Sequence, residues 1–304
     1  MSGEGFLHPL AEVFVVPSSI SVVKGADGLE HLNRTLTADV SGLRLQGRQD
    51  ALLCNANGRI LDHLILCNLG EQVILVGNHG TGDETRQQLL QGVAWDEEVT
   101  VMNADGAIGH LRLLGKAVDR CLVGLGIDPS EIDSQSWTEF GSALISRTDV
   151  GDSAITEILV PSVELESLVE SLVVNGAKTM DSARWSELRI RLGILERSEM
   201  NSSNLPFELG LHELIELDKG CYPGQEIHAR MESRGRISRT LVRLFSDLPL
   251  PIGKHVSPNV GRITVTSYAE HEGGVVALAI IPNEARELEE LVFEDGSLVK
   301  VELI

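Results

Sequence analysis

The chain has 304 residues, of which 42% are hydrophobic and 23% charged, and its 45 Asp+Glu against 25 Lys+Arg give a formal net charge of −20. That length supports a large core and two or three domains. The acidity excludes nucleic-acid binding through a broad positive surface, and no stretch reaches the roughly 20 apolar residues of a membrane span.

In chain order, residues 12–23 are rich in valine, isoleucine and serine and read as one strand. Gly25-Ala26-Asp27-Gly28 is a turn that opens a helix over 29–36. A strand over 51–54, the turn Asn55-Ala56-Asn57-Gly58 and a strand over 60–68 form an antiparallel hairpin. A strand over 72–77 follows, then a helix over 81–90 with Asp83 and Glu84 in its first turn. The middle predicts strands over 109–114, 143–146 and 156–160 and helices over 116–125, 162–175 and 182–192, with Ser162 as a helix cap. Residues 198–211 are polar and irregular. After Arg239, short apolar runs at 241–245, 262–266, 275–280 and 299–303 alternate with Pro, Gly and Asp, the pattern of a small antiparallel barrel. The predicted class is α+β, with domains at 1–237 and 238–304.

The chemistry concentrates in Lys219-Gly220-Cys221-Tyr222-Pro223-Gly224-Gln225-Glu226. Two glycines and a Pro-Gly turn put Cys221 on a tight, partly exposed loop. A neighbouring cation such as Lys219 favours a thiolate. From Lys219 to Arg243 the cations Lys219, Arg230, Arg234, Arg236, Arg239 and Arg243 face only Glu226 and Glu232, a basic island in an acidic chain. Such an island suits an anion or an acidic partner, or is a solvated face.

The four cysteines (Cys54, Cys67, Cys121 and Cys221) contain no Cys-x-x-Cys and no zinc-like spacing with histidine. They fit a reducing compartment. Residues 1–23 lack Lys, Arg and a continuous apolar run, so no secretory signal is expected. The expected location is cytoplasmic. Asp62 and His63 are an acid–base pair by type, but adjacent strand residues point to opposite faces. Trp185 can stack on a planar heteroaromatic ring or pack in the core. Dinucleotide, nucleotide and esterase fingerprints are absent.

The octapeptide, continued by Ala229, Arg230, Gly235, Arg239 and Leu241, resembles the signature of the YgfZ family of folate-binding proteins. These are related to the T-protein (aminomethyltransferase) of glycine cleavage and include a mitochondrial iron–sulfur assembly factor. Leu205-Pro206 with Glu208, Arg189-Ile190 with Gly193, Gly25-Ala26-Asp27, Thr37-Ala38-Asp39-Val40, and Asn55, Gly58 and Arg59 extend the resemblance over essentially the whole chain. It implies a GcvT-like arrangement of α+β subdomains around a central channel, closed by the C-terminal barrel.

The resemblance also implies tetrahydrofolate or a folate derivative as ligand. Trp185, Asp62 and Arg230 would be contacts, beside the loop residues Gly220, Tyr222, Gly224, Gln225 and Glu226. Cys221 would be the functional thiol, assisted by Lys219, and a candidate ligand to a transient iron–sulfur cluster. Partners would be iron–sulfur assembly proteins and client enzymes, including tRNA-modifying ones, with no direct nucleic-acid or membrane contact. Three departures bear on the channel wall: Ser18 stands where some members carry a second tryptophan, Leu195 replaces a frequent proline, and Gly210 a frequent asparagine.

Two further readings compete with the accessory factor. An aminomethyltransferase needs a carboxylate near the folate nitrogen. The Asp-Asp pair of T-proteins is Asp62-His63 here, and their Gly-Tyr-Thr-Gly element is replaced after Arg147-Thr148 by Asp149-Val150-Gly151-Asp152. A binding module with a structural cysteine is the third reading.

Overall fold

Pro17 has no N–H for a sheet ladder, and the run predicted as one strand breaks there into β1 (Glu12–Val16) and β2 (Ser19–Lys24). The Ser18 N–H closes the break on the carbonyl of Val16 at 2.8 Å. The two strands enter different sheets. In the computed structural model, residues 7–150, 153–235, 237–271, 273–293 and 295–304 are described. Gly151, Asp152 and Arg236, singled out above, lie outside them.

Two units divide the chain. The first comprises Met1–Leu53, Leu61–Asp181 and Asp218–Tyr222. Its elements after β2 are α1 (Gly28–Thr35), β3 (Arg48–Cys54), β4 (Ile60–Asn68), β5 (Gln72–Gly77), α2 (Gly82–Gln91), β6 (Thr100–Asn103), β7 (Ile108–Leu114), α3 (Val118–Gly124), β8 (Thr138–Phe140), β9 (Ala143–Val150), β10 (Ser153–Pro161), α4 (Ser162–Val174) and β11 (Lys178–Thr179). One sheet has the order β3-β4-β5-β2-β6, the other β11-β1-β7-β10-β9-β8.

Strand alternation sorts the side chains into layers. Leu53, Leu64, Leu66 and Leu75 pack with Leu32 of α1 and Leu89 of α2. The opposite face of that sheet, through Ile20, Val22, Ile65, Ile74 and Val76, meets Trp137 and Leu159 of the second sheet region. Beyond it, Leu111, Leu113, Ile145 and Ile158 pack under α3 and α4 through Val118, Leu122 and Leu172. The order is helix, sheet, sheet, helix, and each fully buried leucine contributes about 1.5–3 kcal/mol. Ser162 is not a cap: Pro161 holds that position, and the Ser162 hydroxyl donates to the carbonyl of Gly106.

The second unit comprises Cys54–Ile60, Ser182–Leu217 and Pro223–Ile304. It carries α5 (Ser182–Leu192), α6 (Gln225–Arg234), β12 (Arg239–Ser246), β13 (Gly253–Ser257), β14 (Gly261–His271), β15 (Gly274–Pro282), β16 (Glu290–Val292) and β17 (Leu298–Leu303). Its strands form one antiparallel sheet, β13-β14-β15-β12-β17-β16. A register shift between Val265 and Ser267 marks a bulge, the device that curls a sheet. Val242, Leu244, Val265, Ala277, Ala279 and Val299 fill its concave side. No helix among the described residues is long and apolar enough to cross a membrane.

Candidate functional site

The octapeptide is shared between the units, 219–222 in the first and 223–226 in the second. In the first, Lys219 Nζ donates to the carbonyls of Leu36 (2.8 Å) and Ala38 and to Asn33 Oδ1 (3.2 Å). Its ammonium also lies 5.4 Å from the ring centre of the buried Tyr222, within cation–π range. Cys221, between Gly220 and Tyr222, is exposed, whereas Cys54, Cys67 and Cys121 are buried. Burial pushes the thiols of Cys54 and Cys67 up to about 12 and raises that of Cys121. Those three are therefore inert at neutral pH.

In the second unit, Gly224 has φ +86°. A Cβ there would lie 2.5 Å from Gly58 Cα and 2.7 Å from the Asn55 carbonyl, so only glycine fits. Gly224 is thus packed onto the Asn55–Gly58 turn that the sequence marks. His228 of α6 is buried and donates from Nε2 to the Gly58 carbonyl at 2.8 Å. Burial lowers its pKa against the opposing effect of that hydrogen bond, which keeps the ring neutral. Gln225 Nε2 donates to the Leu217 carbonyl at 3.1 Å. Glu226 pairs with Arg230 one helical turn on, both exposed.

A second group of polar residues, missed by the sequence analysis, lies between the two sheets of the first unit. Arg48 and Asp50 share one face of β3, and His63 lies beside them on β4. Asp50 accepts from Arg48 Nη1 at 3.1 Å and from His63 Nε2 at 3.0 Å. Burial opposes the charge on Asp50, but Arg48 and His63 outweigh it and its pKa is lowered. From the other sheet, Glu157 accepts from His110 Nε2 at 2.5 Å and from Arg112 Nε at 3.1 Å. Ser18 Oγ lies 2.7 Å from His110 Nδ1. Burial keeps His110 neutral, so this network assigns Nε2–H to Glu157 and leaves Nδ1 to accept from Ser18. Burial also opposes ionisation of Glu157, yet Arg112 and His110 hold it well below the usual carboxylate range.

A cavity of about 710 Å³ opens beside this group, walled by Arg44, Arg48, Asp50, Ser134 and Gln135 among others. Arg48 is 6% exposed, and its Nε is buried without a hydrogen-bond partner. Its Nη2 donates to Thr148 Oγ1 at 2.7 Å, and its guanidinium stands 6.0 Å from the Trp137 ring centre. An unmade hydrogen bond at a buried donor costs about 1–3 kcal/mol, a cost the fold carries at Arg48. The size is that of a small-molecule site.

The remaining sequence candidates fall elsewhere. Asp62 is fully buried, facing α2. Its Oδ1 accepts from Asn78 Nδ2 (3.0 Å), and its Oδ2 from the hydroxyls of Thr81 (2.8 Å) and Thr85 (2.7 Å). A folate contact at Asp62 would have to displace one of these. Trp185 is 3% exposed on α5, and its indole N–H donates to Glu196 Oε1 at 2.7 Å.

Two members of the basic island are taken up by carboxylates distant in sequence. Arg239 makes a two-point contact with Glu208, Nε–Oε1 at 2.9 Å and Nη2–Oε2 at 2.6 Å. Arg243 is buried on Glu302 (2.7 Å) and the Ile190 carbonyl (2.9 Å). Their partners lie 31 and 59 positions away, beyond any local charge count. Arg234 is exposed at the end of α6. Among the described residues, no group of three or more His, Cys, Asp or Glu could hold a metal ion.

Two stacked sheets flanked by helices in one unit, and a single antiparallel sheet with helices in the other, define an α+β class. The chain belongs to the family described as the GCVT N-terminal domain, matched over residues 19–219. It is similar to an aminomethyltransferase of Listeria monocytogenes serotype 4b (strain F2365), 24% identical over 88% of this chain and 77% of that protein. It is also similar to a tRNA-modifying protein YgfZ of Yersinia pseudotuberculosis serotype O:1b (strain IP 31758), 25% identical over 77% of this chain and 70% of that one. The crystal structure of glycine cleavage system aminomethyltransferase T from Bartonella henselae superposes with a TM-score of 0.84. It is 22% identical and covers 99% of this chain and 87% of that one. That likeness establishes a GcvT-like fold.

Proposed function

We propose that this protein is a folate-binding accessory factor in iron–sulfur cluster assembly or repair, acting through Cys221. The observation that carries the reading is the contrast among the cysteines: three are buried, and the fourth is exposed on a loop pinned by Lys219. Lys219 acts in this reading as a positioning residue rather than as a proton carrier. Clusters are cargo, and the partners are assembly proteins and client enzymes in the cytoplasm. The similarity to a tRNA-modifying protein supports clients that modify tRNA.

The cavity walled by Arg44, Arg48 and Asp50 is the proposed seat for the pterin head of tetrahydrofolate. A pterin edge carries N–H donors and a carbonyl. Asp50 on the cavity wall supplies acceptor oxygens. When bound, folate supplies one-carbon carrier chemistry. Arg230 and Arg234 of the second unit are proposed, independently of that cavity, for a polyglutamate tail or an acidic partner, since the exposed Arg230–Glu226 pair is weak enough to exchange.

A second reading, aminomethyl transfer, is favoured by one observation: Asp50 is an ionised carboxylate on the cavity wall. Against it, Asp62, at the position of the T-protein acidic pair, is fully engaged inside the fold. Complementation separates the two. In cells lacking this gene, the native protein should restore iron–sulfur enzyme activities such as a tRNA methylthiolase, and Cys221→Ser should not. Rescue of glycine cleavage alone, or equal rescue by both proteins, overturns the accessory reading.

A further inference from the structure

The first unit carries an open sheet edge. β6 ends the order β3-β4-β5-β2-β6, and among the described residues no strand pairs with its outer side. In an antiparallel pair, bonded and non-bonded positions alternate. The Ala104 N–H donates to the Ile20 carbonyl at 3.0 Å. The Val22–Met102 and Lys24–Thr100 pairs are in step with it, so their backbone groups face β2. The N–H and C=O of Val101 and Asn103 therefore point outward. Thr100, Met102 and Asn103 are exposed, and Val101 is half-buried. Such an edge is a template for another strand.

Apolar side chains are left in water on the elements beside this edge. Trp95, in the loop from α2 to β6, is 95% exposed, and Leu90 of α2 and Met102 of β6 are 49% and 44% exposed. The other two tryptophans, Trp137 and Trp185, are buried. A free indole face attracts a cation.

The charges choose the occupant. Before β6 come Asp96, Glu97 and Glu98. The Glu98 N–H is tied to Asp27 Oδ2 at 2.8 Å, and Glu97 pairs with Arg34, which also meets Glu30. Lys24 lies opposite Thr100, and Glu71 follows one strand further in. His31, 4.0 Å from Glu97, is buried, which lowers its pKa and keeps it neutral. Acids outnumber bases at this end. After β6, Asp105 and Asp83 share Arg86 at 3.1 and 2.7 Å, with exposed Glu84 and His79 nearby in the chain. Acids outnumber bases here too, and β6 itself carries no charge. A second copy would bring like charges edge to edge, and an anionic lipid surface would be repelled.

We infer that the β6 edge is a docking surface for a basic, extended segment of a partner protein. The segment adds a strand to the sheet through Val101 and Asn103 and lays a lysine or arginine on Trp95. This docking rests on neither Cys221 nor the Arg48–Asp50 cavity, so either can fail without the other.

The test uses the full-length protein labelled with 15N and three synthetic peptides. The first alternates valine and threonine between arginine pairs, the second has glutamate pairs instead, and the third keeps the arginines but carries prolines in the middle. The first should bind saturably with a Kd of about 0.1 mM. It should move the Trp95 indole signal and slow amide exchange at Val101 and Asn103. Added salt should weaken it. Trp95→Ala should weaken it about two- to fivefold, the size of an exposed cation–π contact. Asp96→Asn combined with Glu98→Gln should weaken it further, and unchanged thermal midpoints certify that the variants fold. Non-saturating shifts, equal binding of the glutamate or proline peptide, or unslowed exchange at Val101 and Asn103 would each overturn the inference. Self-association of the native protein that Trp95→Ala abolishes would also overturn it, by giving this edge to a second copy.

Discussion

Lys219 reaches 2.8 Å to the carbonyl of Leu36, just beyond the end of α1, and so fixes the backbone two residues before Cys221. Three acceptors surround the one ammonium. A compact ammonium suits such a cage, and a flat guanidinium does not. Lys219→Met should lower the unfolding free energy by about 2 kcal/mol, the net worth of hydrogen bonds to a charged group. It should also change the alkylation rate of Cys221. Lys219→Arg should restore neither in full. Native-like alkylation in Lys219→Met would refute the anchoring role.

Thiol labelling follows from burial. Under native conditions an alkylating agent should modify one cysteine per chain, and Cys221→Ser should reduce this to none. Denaturation should expose all four. A second fast-reacting thiol would contradict the burial of Cys54, Cys67 and Cys121.

Gly224 offers a backbone test. Alanine there would need both a left-handed conformation and room that Gly58 and Asn55 occupy. Gly224→Ala should destabilise the protein by about 2–4 kcal/mol, read as a lower urea midpoint at unchanged slope. A loss below about 0.5 kcal/mol would mean that the loop packs differently.

Acid sensitivity should have two stages. Burial holds His31, His110 and His228 below the ordinary 6.5, so below that pH the unfolded chain takes up protons that the native state refuses. Stability then falls as pH falls. Glu157 and Asp50 are depressed below 4.5 and 3.8. Their contribution is complete above those values and is lost as pH drops through the native ones. Urea midpoints should decline from about pH 6.5 and steepen below about 4.5. A rise in midpoint between those values would contradict the neutral, buried state of the histidines.

Asp62→Ala should strand the hydroxyls of Thr81 and Thr85 and cost on the order of 3 kcal/mol, whereas Asp62→Asn, which keeps one acceptor, should cost less. Urea denaturation of both variants checks the order. Equal, small losses would free Asp62 for a ligand.

Much of the fold was readable where local chemistry decides it. The Asn55–Gly58 turn and the helix over 182–192 follow from turn residues and leucine spacing. The run 12–23 misled because its apolar character continues across Pro17, and only sheet membership separates its halves. Helix α6 escaped because Gln-Glu-Ile-His-Ala-Arg-Met-Glu-Ser-Arg carries too thin an apolar stripe. The exposed thiol was legible from its flanking glycines and lysine. The Arg48–Asp50–His63 and His110–Arg112–Glu157 groups were not, since their members lie up to about a hundred positions apart and meet only once two sheets stack. The same distance hid the carboxylates that absorb Arg239 and Arg243.

The break at Pro17 also sets a timetable. β1 sits between β7 and β11, and β2 between β5 and β6. These two strands are therefore interior strands of both sheets, and most of their neighbours are synthesised much later. β2 waits for residues beyond 70, and β1 for residues beyond 105. Until then two apolar segments stay unpaired, a burden of long-range topology that slows folding and invites misassociation. The β1–β2 stretch is where a nascent chain would most need shelter.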